Sequence, residues 1–402
     1  MSDADKLTKV GRFSSAEKML EKITATEAGA KDAEAWAKLA EVRVDMPNPD
    51  LDGAEAAIMT ALDLVKDKNA RYWKILGRIS FERGNQALAA QQAANTIKSW
   101  FSDAEVKFGE SRRLDGSDPE INWLYGWAKE LQEYPKKARE AYEKNIAEFP
   151  TEAGGYWRRG AQISNDAARA GGRSPEGQKR YGEAVKLFDT GLEKCGPDPR
   201  ILHLKGIALE WLGKHDEARE CYRTAVRSDP TFRKPWDELI RKKESAAKLM
   251  DLSRDVLRKH ANDGTAAMYL GWVLTGQGET KAAMDVMLPA LEVWREHYSL
   301  WWQASKTAGP VLMNRATSAT AIPWMEKIHE YYEYSADAAN NLGLFYRDSR
   351  PPQAQKALEW YLKASERAPN SQDILNDTGL IYLFNLPGQE KKSLPYFEKV
   401  LA

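Results

Sequence analysis

Histidine and cysteine are two residue types that often hold a metal ion or act as nucleophiles. The chain has only five His and two Cys among 402 residues. No two His have the spacing of metal ligands. The stretch HEYYE, residues 329–333, lacks the second His, one turn later, that a zinc-binding helix of the HExxH type requires. We therefore expect no metal, no cofactor and no enzymatic activity.

Two short motifs could bind phosphate or form a serine–lysine pair, but each lacks its companions. The stretch GQGETKAA, residues 276–283, has neither the preceding strand nor the Lys-Ser/Thr pair of a phosphate-binding loop. Its glycines are typical of a turn between helices. Ser15 and Lys18 have the spacing of a catalytic serine–lysine pair without the other motifs that accompany one. We interpret neither motif as a site.

The charges of the chain balance, with 59 Lys plus Arg against 59 Asp plus Glu. This balance argues against attraction of the whole chain to nucleic acid or to an anionic membrane. The most basic stretch, residues 233–260, is typical of a solvated helix face. No run approaches the roughly 20 apolar residues of a membrane span, and the N-terminus has no secretory signal. We expect a cytoplasmic protein without a nucleic-acid partner.

A recurring order of small, aromatic and helix-breaking residues organises the chain. Three sets have the order Gly, Ala, Tyr, Pro, and the first two share the offsets 12, 16 and 24 from the Gly. The sets are Gly126, Ala138, Tyr142, Pro150; Gly206, Ala218, Tyr222, Pro230; and Gly343, Ala357, Tyr361, Pro369. A small residue lets a second helix approach, Ala and Tyr four apart share one helix face, and Pro ends the helix. The pattern predicts a helix-turn-helix unit.

This unit resembles the tetratricopeptide repeat, a helix-turn-helix motif of about 34 residues, most closely between Pro199 and Pro230. One residue of each first helix marks a unit, and residues 11–23 add part of one more. The ten markers are Ala40, Gly77, Gly126, Gly160, Gly206, Ile240, Gly271, Ala304, Gly343 and Gly379. The resemblance implies an all-α, right-handed superhelical solenoid of about ten repeats, formed as a single domain over residues 1–402.

Three segments depart from the repeat period. We expect an overlong helix at residues 92–114 and two insertions, a Gly-rich polar surface loop at 165–180 and an apolar segment at 306–323. Near its end the chain has Leu394, Phe397, Val400 and Leu401, without the polar outer face that a terminal repeat needs. We therefore expect either a fragment of a longer chain or docking and self-association through the C-terminal helix.

Tryptophan is the unusual residue type of the chain, with 14 Trp against 10 Phe. In the family that the repeats resemble, first helices line a concave groove that binds an extended peptide or a partner helix. Six tryptophans have register positions that resemble groove-lining ones: Trp123, Trp127, Trp157, Trp211, Trp272 and Trp301. Trp123 and Trp127 are four residues apart, so they share one stripe of a helix. We expect these six residues to contact a partner.

Other positions are predicted from the same register. Trp36, Trp73 and Trp236 lie four residues before their markers, where the family has a large packing residue. Asn341 matches the central Asn of the two-carboxylate clamp found in chaperone-binding members, so it is a further partner-binding candidate. The next first helix offers Asp373 and Asp377, which would repel a carboxylate. We therefore do not expect binding of chaperone tails.

The repeats, with no catalytic constellation beside them, favour a non-enzymatic scaffold that binds a protein or peptide in a partly aromatic groove. Two other interpretations stay open. The array could be a structural, assembly or regulatory arm of a larger protein or complex. It could also bind carbohydrate, because sugar faces stack on indole rings.

Overall fold

Short turns connect successive α-helices along the chain. The computed structural model describes residues 2–314, 317–332, 335–349 and 351–401. These residues form 22 α-helices and two 3-10 helices, Gly29–Lys31 and Glu390–Ser393, and contain no β-strand. The α-helices are α1 (Ser2–Lys9), α2 (Phe13–Thr24), α3 (Ala33–Asp45), α4 (Leu51–Val65), α5 (Ala70–Ala89), α6 (Ala94–Leu114), α7 (Pro119–Leu131), α8 (Pro135–Glu148), α9 (Ala153–Arg169), α10 (Pro175–Cys195), α11 (Pro199–Trp211), α12 (His215–Ser228), α13 (Arg233–Arg241), α14 (Ala246–Lys259), α15 (Gly264–Gly276), α16 (Thr280–Val293), α17 (Tyr298–Met313), α18 (Ser318–Tyr331), α19 (Ala336–Asp348), α20 (Ala354–Arg367), α21 (Gln372–Asn385) and α22 (Leu394–Leu401).

The helices belong to two compact units, Met1–Glu244 with α1–α13 and Ser245–Ala402 with α14–α22. Within each unit a helix packs against its successor, and first helices of successive repeats also touch. In the first unit α7 contacts α9 and α9 contacts α11, and in the second α15 contacts α17 and α17 contacts α19. Stacking of helix pairs in this way makes an all-α solenoid. Continuity of the array over residues 1–402 stays a prediction.

Polar caps and positive φ angles recur in the turns between helices. Asp118 accepts a hydrogen bond from the backbone N–H of Glu120, and Asp198 accepts from two such groups. In other turns one residue takes a positive φ, as Gly213 does at +77° and Gly278 at +81°. Glycine takes this conformation without the steric cost of a Cβ. The turn predicted at residues 276–283 is short, because only 277–279 lie between α15 and α16.

The marker glycines lie against a large side chain from the second helix of the same repeat. At each of the seven, an added Cβ would come within 2.6 Å of a ring atom or of the Met287 side chain. The pairs are Gly77–Phe108, Gly126–Tyr142, Gly160–Phe188, Gly206–Tyr222, Gly271–Met287, Gly343–Tyr361 and Gly379–Phe397. The missing Cβ is therefore what allows the second helix to lie directly on the first, at the density of a protein core.

The three departures from the repeat period are largely helical. Residues 94–114 form the 21-residue helix α6. At 165–180 we expected a polar loop, but α9 continues to Arg169 and α10 begins at Pro175, so only residues 170–174 lie outside helices. Ser174 caps α10, and Ala167, near the end of α9, is buried. At 306–323, Pro310 lies inside α17 and Pro323 inside α18, while residues 315–316 are outside the described residues.

Apolar side chains are exposed on the C-terminal helix. Phe397 covers Gly379, whereas Leu394 and Leu401 are 56% and 87% exposed. Docking or self-association through α22 stays a prediction. None of the helices in the described part of the chain is both long enough and apolar enough to cross a membrane.

Substituting Gly206 by Ala tests the contact between the paired helices. The new Cβ would lie less than 3 Å from the Tyr222 ring, so the ring or its helix must move. We expect the free energy of unfolding, measured by urea denaturation, to fall by about 1–3 kcal/mol, the usual cost of overpacking a core. Gly182→Ala is the control, because no atom lies within 4 Å of its added Cβ. It should leave stability unchanged or raise it by up to about 1 kcal/mol through helix propensity, and equal losses in both variants would contradict the packing argument.

Candidate functional site

Three tryptophans from two neighbouring first helices meet in the first unit. Trp123 and Trp127 lie one turn apart on α7, and Trp157 lies on α9. The ring centroid of Trp157 is 5.3 Å from that of Trp123 and 6.2 Å from that of Trp127, and the two α7 rings are 6.4 Å apart. All three side chains are half-buried. We call these three residues the tryptophan cluster.

Contacts with backbone and core hold the tryptophan cluster in place. The Trp123 ring lies on the first turn of α9, where an added Cβ at Gly154 would come less than 3 Å from it. The ring centroid of Trp127 is 4.5 Å from that of Phe81 on α5. Phe81 is in turn 5.2 Å from Phe101 of α6, and both are buried. The cluster is therefore an extension of the core, which orders its rings before any partner arrives.

A buried arginine lies against the tryptophan cluster. The guanidinium carbon of Arg158, on α9, is 3.0 Å from the ring centroid of Trp127 and 4.0 Å from that of Trp157. It is 5.9 Å from the centroid of Trp123. The residue is only 8% exposed. Attraction between the cation and the negative faces of the indole rings holds the side chain in this position.

Arg158 carries its charge without a carboxylate partner. Among the described residues, no Asp or Glu oxygen lies within the 4.0 Å of a salt bridge, and the buried Nε has no hydrogen-bond acceptor. Burial lowers the pKa of Arg158 to about 9, which still leaves the group protonated at pH 7. The buried Nε1 of Trp157 also has no acceptor. The site therefore has one little-exposed cation that no carboxylate of the described residues compensates.

Two more charges lie near the tryptophan cluster. Arg200, exposed at the start of α11, has its guanidinium carbon 5.7 Å from the Trp157 centroid, and its charge helps to lower the pKa of Arg158. Glu130 acts in the opposite direction on that pKa. Its Oε2 accepts a hydrogen bond of 2.8 Å from the hydroxyl of buried Tyr142. The arrangement can take an anionic group next to an apolar one.

Sequence reasoning did not find Arg158. The residue directly follows Trp157, and neighbours in a helix point about 100° apart, so no spacing rule joins it to the tryptophans. The available signal was an Arg within an otherwise aromatic and Gly-rich stretch of a first helix, GYWRRG, residues 155–160. That signal does not say whether the guanidinium reaches solvent or the next helix.

The other predicted partner-binding residues have different surroundings. Trp211 is 43% exposed, and its ring stacks on that of Tyr181 with centroids 5.6 Å apart. In the second unit, Trp272 and Asn341 are exposed. Trp301 is only 2% exposed and stacks on another aromatic ring. Its placement in the groove was wrong, because packing between helices covers it.

The tryptophans predicted to pack in the core make a different kind of contact. Trp236 is fully buried, and Trp36 and Trp73 are half-buried against the core of the first unit. The indole Nε1 of each donates a hydrogen bond to the backbone oxygen six residues earlier, at 3.0–3.2 Å. The N–H of each of these three tryptophans is thus satisfied by the segment that precedes its helix, whereas the buried Nε1 atoms of Trp157 and Trp301 have no acceptor.

His203 has, on α11, the register position that Trp123 and Trp157 have on α7 and α9, three residues before the marker. It is 8% exposed, and its ring lies 5.7 Å from that of Phe232. Burial lowers the pKa of His203 to about 4. Across the described residues, no group of three or more His, Cys, Asp or Glu side chains could hold a metal ion.

One repeat of the chain matches the model of a known family. The family model described as Tetratricopeptide repeat matches residues 199–232, which contain α11 and α12. The chain contains a tetratricopeptide repeat. The contact of Gly206 with Tyr222 lies inside this matched repeat, and the same contact recurs at the other marker glycines. No curated protein matches the sequence significantly.

Solved structures of helical repeat proteins resemble the chain at low identity. Yeast Tom70 is 14% identical with a TM-score of 0.34, and the match covers 97% of each chain. Pseudomonas aeruginosa pilF is 17% identical with a TM-score of 0.39, covering 60% of this chain and 95% of that one. YrrB, described as a TPR protein with an unusual peptide-binding site, is 15% identical with a TM-score of 0.31, covering 55% and 96%. At these values the likenesses carry no argument about function.

Lowering the pH should destabilise the chain through His203. Its folded pKa of about 4 lies below the unfolded value of 6.5, so between these values the unfolded chain binds a proton that the folded chain does not. This stability is present above pH 6.5 and is lost as the pH falls towards 4. From pH 7 to pH 5 we expect a loss of roughly 1–2 kcal/mol in the free energy of unfolding that His203→Gln does not show.

The measurement is a set of urea denaturation curves at several pH values. His215→Gln is the matched control, because His215 is exposed on α12, and it should keep the full loss. A His203→Gln variant with the pH dependence of the original chain would contradict the assignment.

Proposed function

We propose that this tetratricopeptide-repeat chain is a non-enzymatic scaffold that binds a protein or peptide on the tryptophan cluster. One observation carries the proposal: three half-buried indole rings, one with an unsatisfied N–H, lie together on neighbouring first helices. First helices line the binding groove in the family that the repeats resemble. Tryptophan is enriched among residues that dominate binding energy, because it supplies a large and rigid contact area.

The energetics of the tryptophan cluster suit this role. Full burial of a large apolar side chain is worth about 2–3 kcal/mol by area, and a half-buried ring can contribute about half of that to binding. The rings are already ordered by Gly154 and Phe81, so a partner loses little free energy in ordering them. A short apolar segment that covers the three rings could therefore bind with useful affinity.

The alternatives have less support at this site. A sugar needs an open ring face, but Arg158 lies 3.0 Å from the Trp127 centroid, and the Trp123 and Trp157 rings are inclined at 60° to each other. A structural or regulatory arm would rely on surfaces such as the exposed leucines of α22.

Selection from a library of displayed random peptides, each of about 12 residues, tests the proposal. Peptides enriched by the original chain should bind Trp157→Ala at least about ten-fold more weakly, which corresponds to about 1.4 kcal/mol. Affinity is measured by fluorescence polarisation with labelled synthetic peptides.

Trp302→Ala is the matched control, because this tryptophan is 52% exposed and lies in the second unit. It should bind the selected peptides like the original chain. Circular dichroism verifies that both variants are folded, and Trp157→Phe, which keeps an aromatic ring, should retain intermediate affinity. Enrichment of no peptide, or equal affinity for the original chain and Trp157→Ala, would contradict the proposal.

A further inference from the structure

We propose that the tryptophan cluster recognises an acidic side chain, with Arg158 receiving the carboxylate and the indole rings contacting its apolar neighbours. The partner is then a peptide segment in which Asp or Glu lies among apolar residues. This inference rests on the proposed function and adds the chemistry of the ligand. Arg158 lies two residues before Gly160, the register that Asn341 has in its own repeat, but Trp123 and Trp127 lie where the two-carboxylate clamp has Lys and Asn. The site therefore differs from that clamp in its residues, with an arginine among indole rings.

Burying a cation without a counter-ion costs free energy. Two other little-exposed arginines of the first unit show how carboxylates can compensate such a charge. Arg43 pairs with Glu17 and Glu21, with N–O distances of 2.8 and 2.6 Å. Arg83 pairs with Asp52 and Glu55 in the same way.

Arg158 is only 8% exposed, yet it forms no ion pair with a carboxylate among the described residues. The carboxylate that would complete it is therefore expected from outside the chain.

The N–H donors of Arg158 are directional. Indole faces attract the charge of the guanidinium, but they do not accept the hydrogen bonds of its N–H groups, which lie in the guanidinium plane. The Nε of Arg158 is buried without an acceptor, whereas its two terminal nitrogens are not fully buried and have no hydrogen-bond partner among the described residues, so they are the donors that a ligand can reach. A carboxylate has two oxygens and can accept two parallel hydrogen bonds from one guanidinium. It is the common protein group that satisfies the charge and the donors together.

The charges around the tryptophan cluster also favour an acidic ligand. The whole chain is neutral, with 59 basic and 59 acidic residues. At the tryptophan cluster, however, Arg200 adds a second cation near Trp157. The nearby Glu130 accepts a hydrogen bond from Tyr142 and does not reach Arg158 within salt-bridge distance. An acidic ligand therefore gains attraction from both arginines.

These features favour a carboxylate over the phosphates of a nucleic acid. Binding of single-stranded nucleic acid uses a positively charged groove that follows many phosphates, with rings open for stacking by the bases. Here a single buried guanidinium lies on the ring of Trp127, and the chain has no net charge to attract a polyanion.

The test uses two displayed peptide libraries of about 12 random residues, one with a central Glu and one with a central Gln. The original chain should enrich peptides from the Glu library, and a selected peptide should bind at least about ten-fold more weakly after its Glu is changed to Gln. With Arg158→Met, the Glu and Gln peptides should bind alike, within about two-fold. Arg158→Lys, which keeps the charge but loses the planar fork, should retain part of the preference.

Arg159→Met is the matched control. It removes the same charge from the next position of α9, where the side chain pairs with Glu143, and it should keep the full preference for Glu. Thermal unfolding verifies that each variant is folded before affinities are compared.

The outcomes separate this inference from the proposed function. Peptides that bind through Trp157 without a preference for Glu, or a preference that survives in Arg158→Met, would overturn the inference and leave the scaffold proposal intact. A single-stranded oligoadenylate that binds more tightly than the Glu peptides, and loses affinity with Arg158→Met, would also overturn it. Enrichment of no peptide from either library would overturn both.

Discussion

The contact between a glycine of one helix and a ring of the next is the constraint on which the rest of the structure depends. Gly126, Gly206 and Gly343 each leave the space that a buried tyrosine fills. Since a Cβ at these positions would overlap the ring, the contact sets how closely the two helices of a repeat approach. It also fixes the rotation of the first helix. Trp123 and Trp157 lie three residues before their glycines, and Trp127 lies one residue after its glycine. With the helices α7 and α9 rotated in this way, the three rings meet.

The tryptophans of this chain show how stability and binding can use the same residue type. Trp36, Trp73 and Trp236 place the ring against the core and donate the indole N–H to a backbone oxygen of the segment before their helix. Trp157 is half-buried, so part of its ring is left for a partner to cover. Its buried N–H has no acceptor, as is also true of the covered Trp301. What distinguishes the cluster is therefore its partly open rings and not an unsatisfied donor.

The charge of Arg158 also bears on which partner can bind. The net charge is zero, and long-range attraction therefore cannot select a partner. Selectivity must come from groups whose surroundings make a charge costly, and Arg158 is such a group because burial opposes its protonation. The surrounding indole rings hold the guanidinium but do not accept its in-plane hydrogen bonds. A weakly compensated cation in an apolar site distinguishes an acidic ligand from a neutral one more strongly than an exposed cation would.

The sequence by itself determined the helix-turn-helix units, because the spacing of Gly206, Ala218, Tyr222 and Pro230 reflects contacts within one repeat. It also predicted that Trp123, Trp127 and Trp157 have groove-lining register positions. Only the tertiary structure decided which register positions stay accessible: Trp301 is covered, although its position matches that of Trp157. The same is true of Arg158, whose surroundings come from α7 as well as from its own helix. Contacts between repeats depend on how successive helices pack, and no spacing rule within one helix contains that information.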